Sequence, residues 1–473
     1  MAIQPGKSGP KLKIILSDLH LGAGFPGEQG NRHENFTADE MLVDLLEQIS
    51  RESRRGHQEV ELILNGDTFA FLQTPAVDQF DPAASYPPEA YHDSSEEASV
   101  KRLNLIIRGH PLVFDALADF LHVEQPTRRV TIVKGNHDIP LYWPRVKTRL
   151  REMLGATGVR ASLLLFAEEF ISREKIHVEH GHQRAEKMHA YHDFLDPRHP
   201  HAPTQLYHPA GSLFFINCIN RLKPDYPFID TIKPLTALVW YALHADFNLA
   251  AELLLNFIQH TPALVLHNYL PGTPLPSFAS DLLVALQNPD RRRQMAEQYR
   301  HDPAFRLSLH RQIQQYLADA AIANRAETIT APAEVSDDPL VMAQAEQHQQ
   351  QDALLSAAKS ISTDEKIELV FFGHSHQPAC HHLPGGKQYI NTGSWIWNCN
   401  LNEANCIALS GQTIPAPKHL PYARLDYDEQ GHPTAKLIDF ATGQALDTSP
   451  QQGDLSILGH LQKWLRQRMG NSR

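Results

Sequence analysis

The 473-residue chain predicts a layered α/β fold, and three of its features carry that prediction. Five short apolar runs, at residues 12–16, 61–64, 130–133, 176–179 and 368–372, have the length and the Ile, Val, Leu and Phe content of strands. Helical stretches at 38–51 and 99–120 alternate with the first three, as expected where strands layer against helices. Each run also stops at a short polar motif: Asp18-Leu-His20, Gly66-Asp67, Gly135-Asn136-His137-Asp138, His180-Gly-His182 and Gly373-His374-Ser-His376. Ligands of α/β folds collect beyond the carboxyl ends of the strands. The motifs fall there.

The remaining segments follow in order. Residues 73–92, rich in Pro, Asp, Ala and Tyr, read as a surface loop. A sixth run at 388–390 leads into Asn391-Thr-Gly-Ser-Trp395, and runs at 424–427 and 435–440 flank a late hairpin turn. Between the fourth and fifth motifs the pattern turns helical, at 184–195, 234–259, 278–286, 291–301, 307–325 and 339–358. The expected division is therefore a core at 1–182 and 361–445, a helical insertion placed as a cap at 183–360, and a basic amphipathic helix within 446–473. That last helix, at 455–469, suits packing onto its own core, with a membrane surface or a partner as the alternative.

Composition narrows the class. A charged fraction of 21% and a hydrophobic fraction of 42% are ordinary for a globular protein, and 473 residues exceed a single core. A net charge of -11 argues against bulk capture of nucleic acid, although bound cations can reverse the sign locally. Cys218, Cys380, Cys399 and Cys406 show neither zinc-finger spacing nor a dense disulfide framework. No secretory h-region stands at the N-terminus, and the apolar span 235–255 is broken by His244, Asp246 and Asn248. These features predict a reduced, cytoplasmic protein without a transmembrane segment.

The motifs supply carboxylates, an amide and imidazoles, the donor mix that holds divalent metals of intermediate hardness. Asp18 and His20, one residue apart in extended backbone, would point to the same side. Asp67 has two oxygens with which to bridge two cations. Asn136 offers a carbonyl oxygen. His137 would face elsewhere and act on substrate, with Asp138 accepting its second ring N–H. His180 and His182 both remain candidates, His180 favoured as ligand and His182 as pocket neighbour. His374 and His376 present two imidazoles to one cleft.

In this order the five motifs resemble those of the calcineurin-like metallophosphoesterase superfamily, over residues 11–182 and 361–440. The resemblance implies a four-layer α/β/β/α sandwich with a large, mainly helical insertion. It also implies two metals, one held by Asp18, His20 and His376, the other by Asn136, His180 and His374, with Asp67 shared. Mn²⁺ suits this set, with Fe²⁺, Zn²⁺ or Co²⁺ as alternatives. A metal-bridging hydroxide would attack a phosphodiester, pyrophosphate or phosphomonoester, with His137 assisting at the transition state. Ser17-Asp-Leu-His-Leu-Gly22 and Asn391-Thr-Gly-Ser-Trp395 are similar to the UDP-2,3-diacylglucosamine pyrophosphohydrolase-like branch. The insertion is several-fold longer than that branch's lid, however, and His137 stands where its lipid A enzymes usually carry Arg. The expected substrate is accordingly left at a phosphorylated small molecule or nucleotide-linked lipid. His182, Arg184 and His189, at the start of the insertion, are candidates to grip its distal groups. A non-enzymatic scaffold binding protein through the insertion is the competing class, and a protein phosphatase the other enzymatic reading.

Overall fold

Alternate residues of the first strands serve two different cores, and this two-residue period builds the layers. The computed structural model describes residues 11–25, 30–185, 187–269, 277–322, 335–401 and 406–446. Its strands in chain order are β1 (Lys11–Leu16), β2 (Glu59–Asn65), β3 (Arg128–Val133), β4 (Leu164–Ala167), β5 (Phe170–Arg173), β6 (Ile176–Glu179), β7 (Arg198–His199), β8 (Ala202–Leu206), β9 (Leu369–Phe372), β10 (Pro378–His382), β11 (Gln388–Thr392), β12 (Pro421–Tyr427), β13 (Pro433–Asp439) and β14 (Gln444–Ala445). One sheet has the order β14-β13-β12-β1-β2-β3-β4 and the other β10-β11-β9-β6-β5. β1 to β4 are parallel, as are β6, β9 and β11, while β12, β10 and β5 join antiparallel.

Ile15, Ile63 and Val133 of the first sheet meet Val178, Phe371 and Ile390 of the second in one apolar cluster. The other face of the first sheet, through Leu12, Ile14, Leu62 and Ile132, packs on the helices Asp39–Gly56 and Pro111–His122. Val370, Phe372 and Tyr389, on the outer face of the second sheet, pack on Leu354 and Ala358 of the helix Pro339–Ile361. The order is helix, sheet, sheet, helix.

Local chemistry sets the element ends. Leu42, Leu45, Leu46 and Ile49 form the buried stripe of Asp39–Gly56, with acids in its first turn and arginines in its last. The helix expected at 99–120 is two, Glu96–Gly109 and Pro111–His122. Pro111 has no N–H and disfavours helical backbone at His110, so the chain turns there. The expected loop 73–92 ends in a short helix, Glu89–His92.

Between β6 and β9 the helices Leu235–Ala245, Phe247–Tyr269, Ser277–Gln287, Pro289–His301 and Pro303–Ile322 contribute to a separate large apolar cluster. The helix expected at 184–195 does not form; among the described residues there are only His182–Ala185 and a 3₁₀ turn at Lys187–His189. Tyr191 and Phe194 are instead drawn into a cluster with Ile139 and Leu206, and β7 pairs with β8 as a small ribbon. The stretch 234–259 divides at Asp246, which is extended. Pro339–Ile361 crosses the expected boundary: Met342 and Ala343 belong to the helical cluster, Leu354 and Ala358 to the sandwich. No helix among the described residues is long and apolar enough to cross a membrane. The expected helix at 455–469 lies outside the described residues.

Cysteine usage differs from expectation. Cys399 and Cys406 are disulfide-bonded with Cα atoms 6.3 Å apart, whereas Cys218 and Cys380 are not in disulfides. Nothing in the sequence marks this pair, because a seven-residue separation matches no recognised framework. Both half-cystines are buried in the helical cluster, which brings them together.

The break at His110 also places a charged group in the core. Its Nδ1 lies 2.8 Å from Asp39 Oδ1 and its Nε2 3.2 Å from Glu34 Oε2. Burial alone would lower its pKa, but Glu34 and Asp39 outweigh burial and raise it to about 10. This pairing therefore stabilises the fold fully below the unfolded His pKa near 6.5, and the contribution is lost as pH rises towards about 10. The Tm gap between the wild type and His110→Asn should be widest near pH 6 and narrow steadily up to pH 10; a gap that widens with pH would contradict this pairing.

Candidate metal centre

Beyond the strand ends two loops run side by side. The Asp18 N–H donates to Gly66 O (3.1 Å) and the His20 N–H to Asp67 O (2.9 Å). The loop after β9 joins them: Gly373 N–H donates to His180 O (2.9 Å) and His374 N–H to Asp18 Oδ2 (3.0 Å). Ser17 Oγ lies 2.7 Å from Thr392 Oγ1, tying the ends of β1 and β11 together. The expected extended backbone does not hold here. Asp18, His20, Asp67, His374 and His376 all have φ between 47° and 67°. Residues other than glycine rarely adopt this left-handed region, and such strain concentrates at functional sites. Strand periodicity does not reach these residues, because β1 and β9 have already ended at Leu16 and Phe372.

The side chains converge. Asp18 Oδ1 is 3.4 Å from His376 Nε2 and 3.9 Å from His20 Nε2. Asp67 Oδ2 is 3.2 Å from His180 Nε2 and 3.8 Å from His20 Nε2. Three donor groups lie mutually within 4.8 Å: Asp18, His20 and His376; Asp67, His180 and His374; and His20, Asp67 and His137. Asp67 stands between the first two sets. The donors also fit divalent cations. With bonds of about 2.1 Å and angles between octahedral and tetrahedral, two imidazole nitrogens on one ion stand roughly 3.0–3.4 Å apart. His20 Nε2 and His376 Nε2 are 3.2 Å apart. Asn136 Oδ1 is buried with no hydrogen-bond partner among the described residues, an acceptor that a cation would satisfy.

Neighbours orient these rings. His180 Nδ1 lies 3.0 Å from Asn65 O, so a proton there leaves Nε2 as the donor atom. His376 Nδ1 lies 3.0 Å from Asn398 Oδ1, with the same consequence. Asn398, which donates to Ser394 Oγ (2.7 Å), went unnoticed in the sequence because no motif marks it. Burial raises the carboxyl pKa of Asp18 and Asp67, but the surrounding imidazoles overcome it and leave both below the usual range, Asp67 well below. Burial lowers His20 strongly, keeping its ring neutral as metal ligation requires, and lowers His137 to about 3. For His180 burial acts downward too, but Asp67 and Asp18 raise it to about 9.

His137 does not face elsewhere. Its ring stands edge-on to that of His20 at 4.8 Å, and its backbone N–H donates to Asp67 Oδ1 (2.8 Å). Nor does Asp138 accept its ring N–H; His137 Nδ1 has no hydrogen-bond partner among the described residues. The Asp138 carboxylate instead accepts the N–H groups of Phe69 (2.8 Å), Thr68 (3.1 Å) and Gly135 (3.1 Å), clamping the two loops. Burial and the Asp67 charge raise its pKa to about 7 against those bonds. Among the expected substrate contacts, His182 and His189 are brought close, their rings 6.1 and 5.6 Å from that of His374. Arg184 is not: Glu179 holds it at 3.0 and 3.3 Å. Sequence reading also missed Phe215, whose ring lies 5.1 Å from that of His137.

No family model matches the chain, and no curated protein sequence matches it. Among solved structures, the chain is similar to one described as a dimetal phosphatase from Danio rerio, at 10% identity and a TM-score of 0.29, covering 90% of this chain and 95% of that one. So loose an overlap is no ground for assigning a function.

Gly135 shows how tightly the centre is packed. A Cβ there would lie 2.3 Å from Asp67 Oδ1 and 2.4 Å from its backbone nitrogen. Gly135→Ala should therefore displace Asp67, lower stability by about 1–3 kcal/mol and reduce bound metal. Elemental analysis of the purified variant checks this, and full metal content would contradict it.

Proposed function

We propose that the chain is a dinuclear metal-dependent phosphoesterase of the calcineurin-like metallophosphoesterase superfamily. The observation that carries this reading is the convergence of donor atoms from five strand ends, with Asp67 between two ligand sets. Asp18, His20 and His376 would hold one divalent ion, Asn136, His180 and His374 the other, and Asp67 both; Mn²⁺ fits this donor set. Two such ions supply Lewis acidity towards a phosphoryl group and lower the pKa of water. The protein's own part is to keep both carboxylates ionised, present a neutral His20 ring, and tie the loops that carry the donors together by backbone hydrogen bonds before substrate arrives. His137, beside Asp67 and His20, would donate a hydrogen bond to a phosphoryl oxygen. The substrate class is a phosphorylated small molecule or nucleotide-linked lipid.

Residues 183–360 are the cap in this reading. Phe215 and His189 bring its surface against His137 and His374. The scaffold reading would be favoured by missing ligands, but all seven candidate positions are filled.

Purified protein should contain close to two divalent ions per chain. Chelation should abolish hydrolysis of bis-p-nitrophenyl phosphate or p-nitrophenyl phosphate, and Mn²⁺ should restore it. Absence of both metal and activity after reconstitution would favour the scaffold. Asp67→Ala should lose metal and turnover together. His137→Ala should keep its metal while turnover falls by about 10²–10⁴-fold. Loss of metal from His137→Ala would make it a ligand instead.

A further inference from the structure

We propose that the His374 side of this centre carries an uncharged polar subsite, formed by His182, Tyr191 and Ser212, that receives the hydroxyl groups of a phosphorylated polyol. The inference rests on the phosphoesterase reading and narrows its substrate: the group esterified to the phosphate is a sugar or glycerol unit rather than a second phosphate.

Three separate stretches of chain bring these side chains together. His182 opens the short helix His182–Ala185, with its ring 5.4 Å from that of His180 and 6.1 Å from that of His374. The Tyr191 ring stands edge-on to it at 6.3 Å, and the Phe194 ring lies 4.7 Å from His182 and 5.5 Å from Tyr191. Gln183 holds this spacing, because its Oε1 accepts the Tyr191 backbone N–H (2.7 Å). Ser212 belongs to the helix Ala210–Phe214, where Gly211 sits so close to His189 that a Cβ would overlap the imidazole. The His189 ring is in turn 5.6 Å from that of His374. Both Tyr191 and Ser212 therefore come from the cap and meet the centre on one side.

Their polar atoms are unmet. His182 Nδ1 and Nε2, the Tyr191 hydroxyl and Ser212 Oγ are buried without a hydrogen-bond partner among the described residues, and each of the three residues is at most 2% exposed. Tyr191 and Ser212 are close enough to act on one another, yet their hydroxyls do not meet in hydrogen-bond geometry. Burying such groups unpaired is costly, and a ligand that pairs them removes the cost.

The chemistry of the three groups selects that ligand. A Ser or Tyr hydroxyl both donates and accepts, and an uncharged imidazole offers one N–H and one lone pair. Alcohol hydroxyls have the same double character. An ionised phosphate only accepts, and its oxygens would face the lone pairs of all three. The cations beside this group are already engaged: Lys134 donates to Phe194 O (2.9 Å) and pairs with Glu168, and Arg184 pairs with Glu179.

The test assays the Mn²⁺-loaded protein on two pairs of esters of similar size. Glycerophosphate is compared with propyl phosphate, and glucose phosphate, esterified at its primary hydroxyl, with cyclohexylmethyl phosphate. The hydroxylated member of at least one pair should have the higher kcat/KM, by about tenfold or more, because an analogue without hydroxyls leaves the buried groups unpaired. The pair that shows the preference separates glycerol from sugar. Tyr191→Phe and Ser212→Ala each remove one hydroxyl, and each should narrow the preference by about two- to tenfold, the scale of one neutral hydrogen bond. A wild type active on p-nitrophenyl phosphate but without preference in either pair would overturn the subsite alone, leaving water as the partner of these groups. Variants that slow both members of a pair in equal proportion would overturn it too, since loss of packing acts in that way. A wild type that binds no metal, or cleaves none of these esters, would defeat the phosphoesterase reading itself.

Discussion

Two carboxylates, Asp18 and Asp67, are buried together among imidazoles, and the ends of both sheets are organised around keeping them ionised and close. Buried charge of one sign is tolerated only beside opposite charge or strong donors. Here the donors are backbone N–H groups, His137 to Asp67 and His374 to Asp18, backed by the rings themselves. A pair of cations would complete the compensation.

This demand explains the unusual backbone. Five of the ligand candidates sit at positive φ, a conformation that persists only when surrounding structure over-determines it. The Asp138 clamp on Thr68, Phe69 and Gly135, and the Ser17–Thr392 contact between sheets, provide that restraint. Glycine is needed where loops touch: at Gly66, with φ of 80°, a Cβ would lie 2.4 Å from the His180 ring.

The helical segment is joined to this arrangement by polar as well as apolar contacts. The buried Lys223–Asp230 pair bonded to Asn35 and Gln73 fixes its docking, since breaking one partner would strand a charge. The loop after β11 does the same from the sandwich side. Asn398 orients His376, while the adjacent Trp397 and Cys399 pack within the helical cluster. The orientation of the His376 ring therefore depends on both parts of the molecule.

The strands, their polar termini and the donor residues that converge there were legible in the sequence because they follow from local pattern: apolar runs of strand length that stop at donor-rich turns. Leu12, Ile14 and Ile15 already distinguish two buried faces, although alternation alone does not say what covers each. Tertiary structure decided the rest. The His110 ring, at a break that Pro111 makes locally, was paired with two acids distant in the chain; Tyr191 and Phe194 left helical geometry for a better apolar contact; Arg184 was captured by Glu179. Asp138 turned from His137 to three backbone N–H groups that only the folded loops bring within reach. Local sequence determines which groups are offered at a strand end, whereas partners distant in the chain determine where each side chain points, because hydrogen bonds and burial are satisfied in space rather than along the chain.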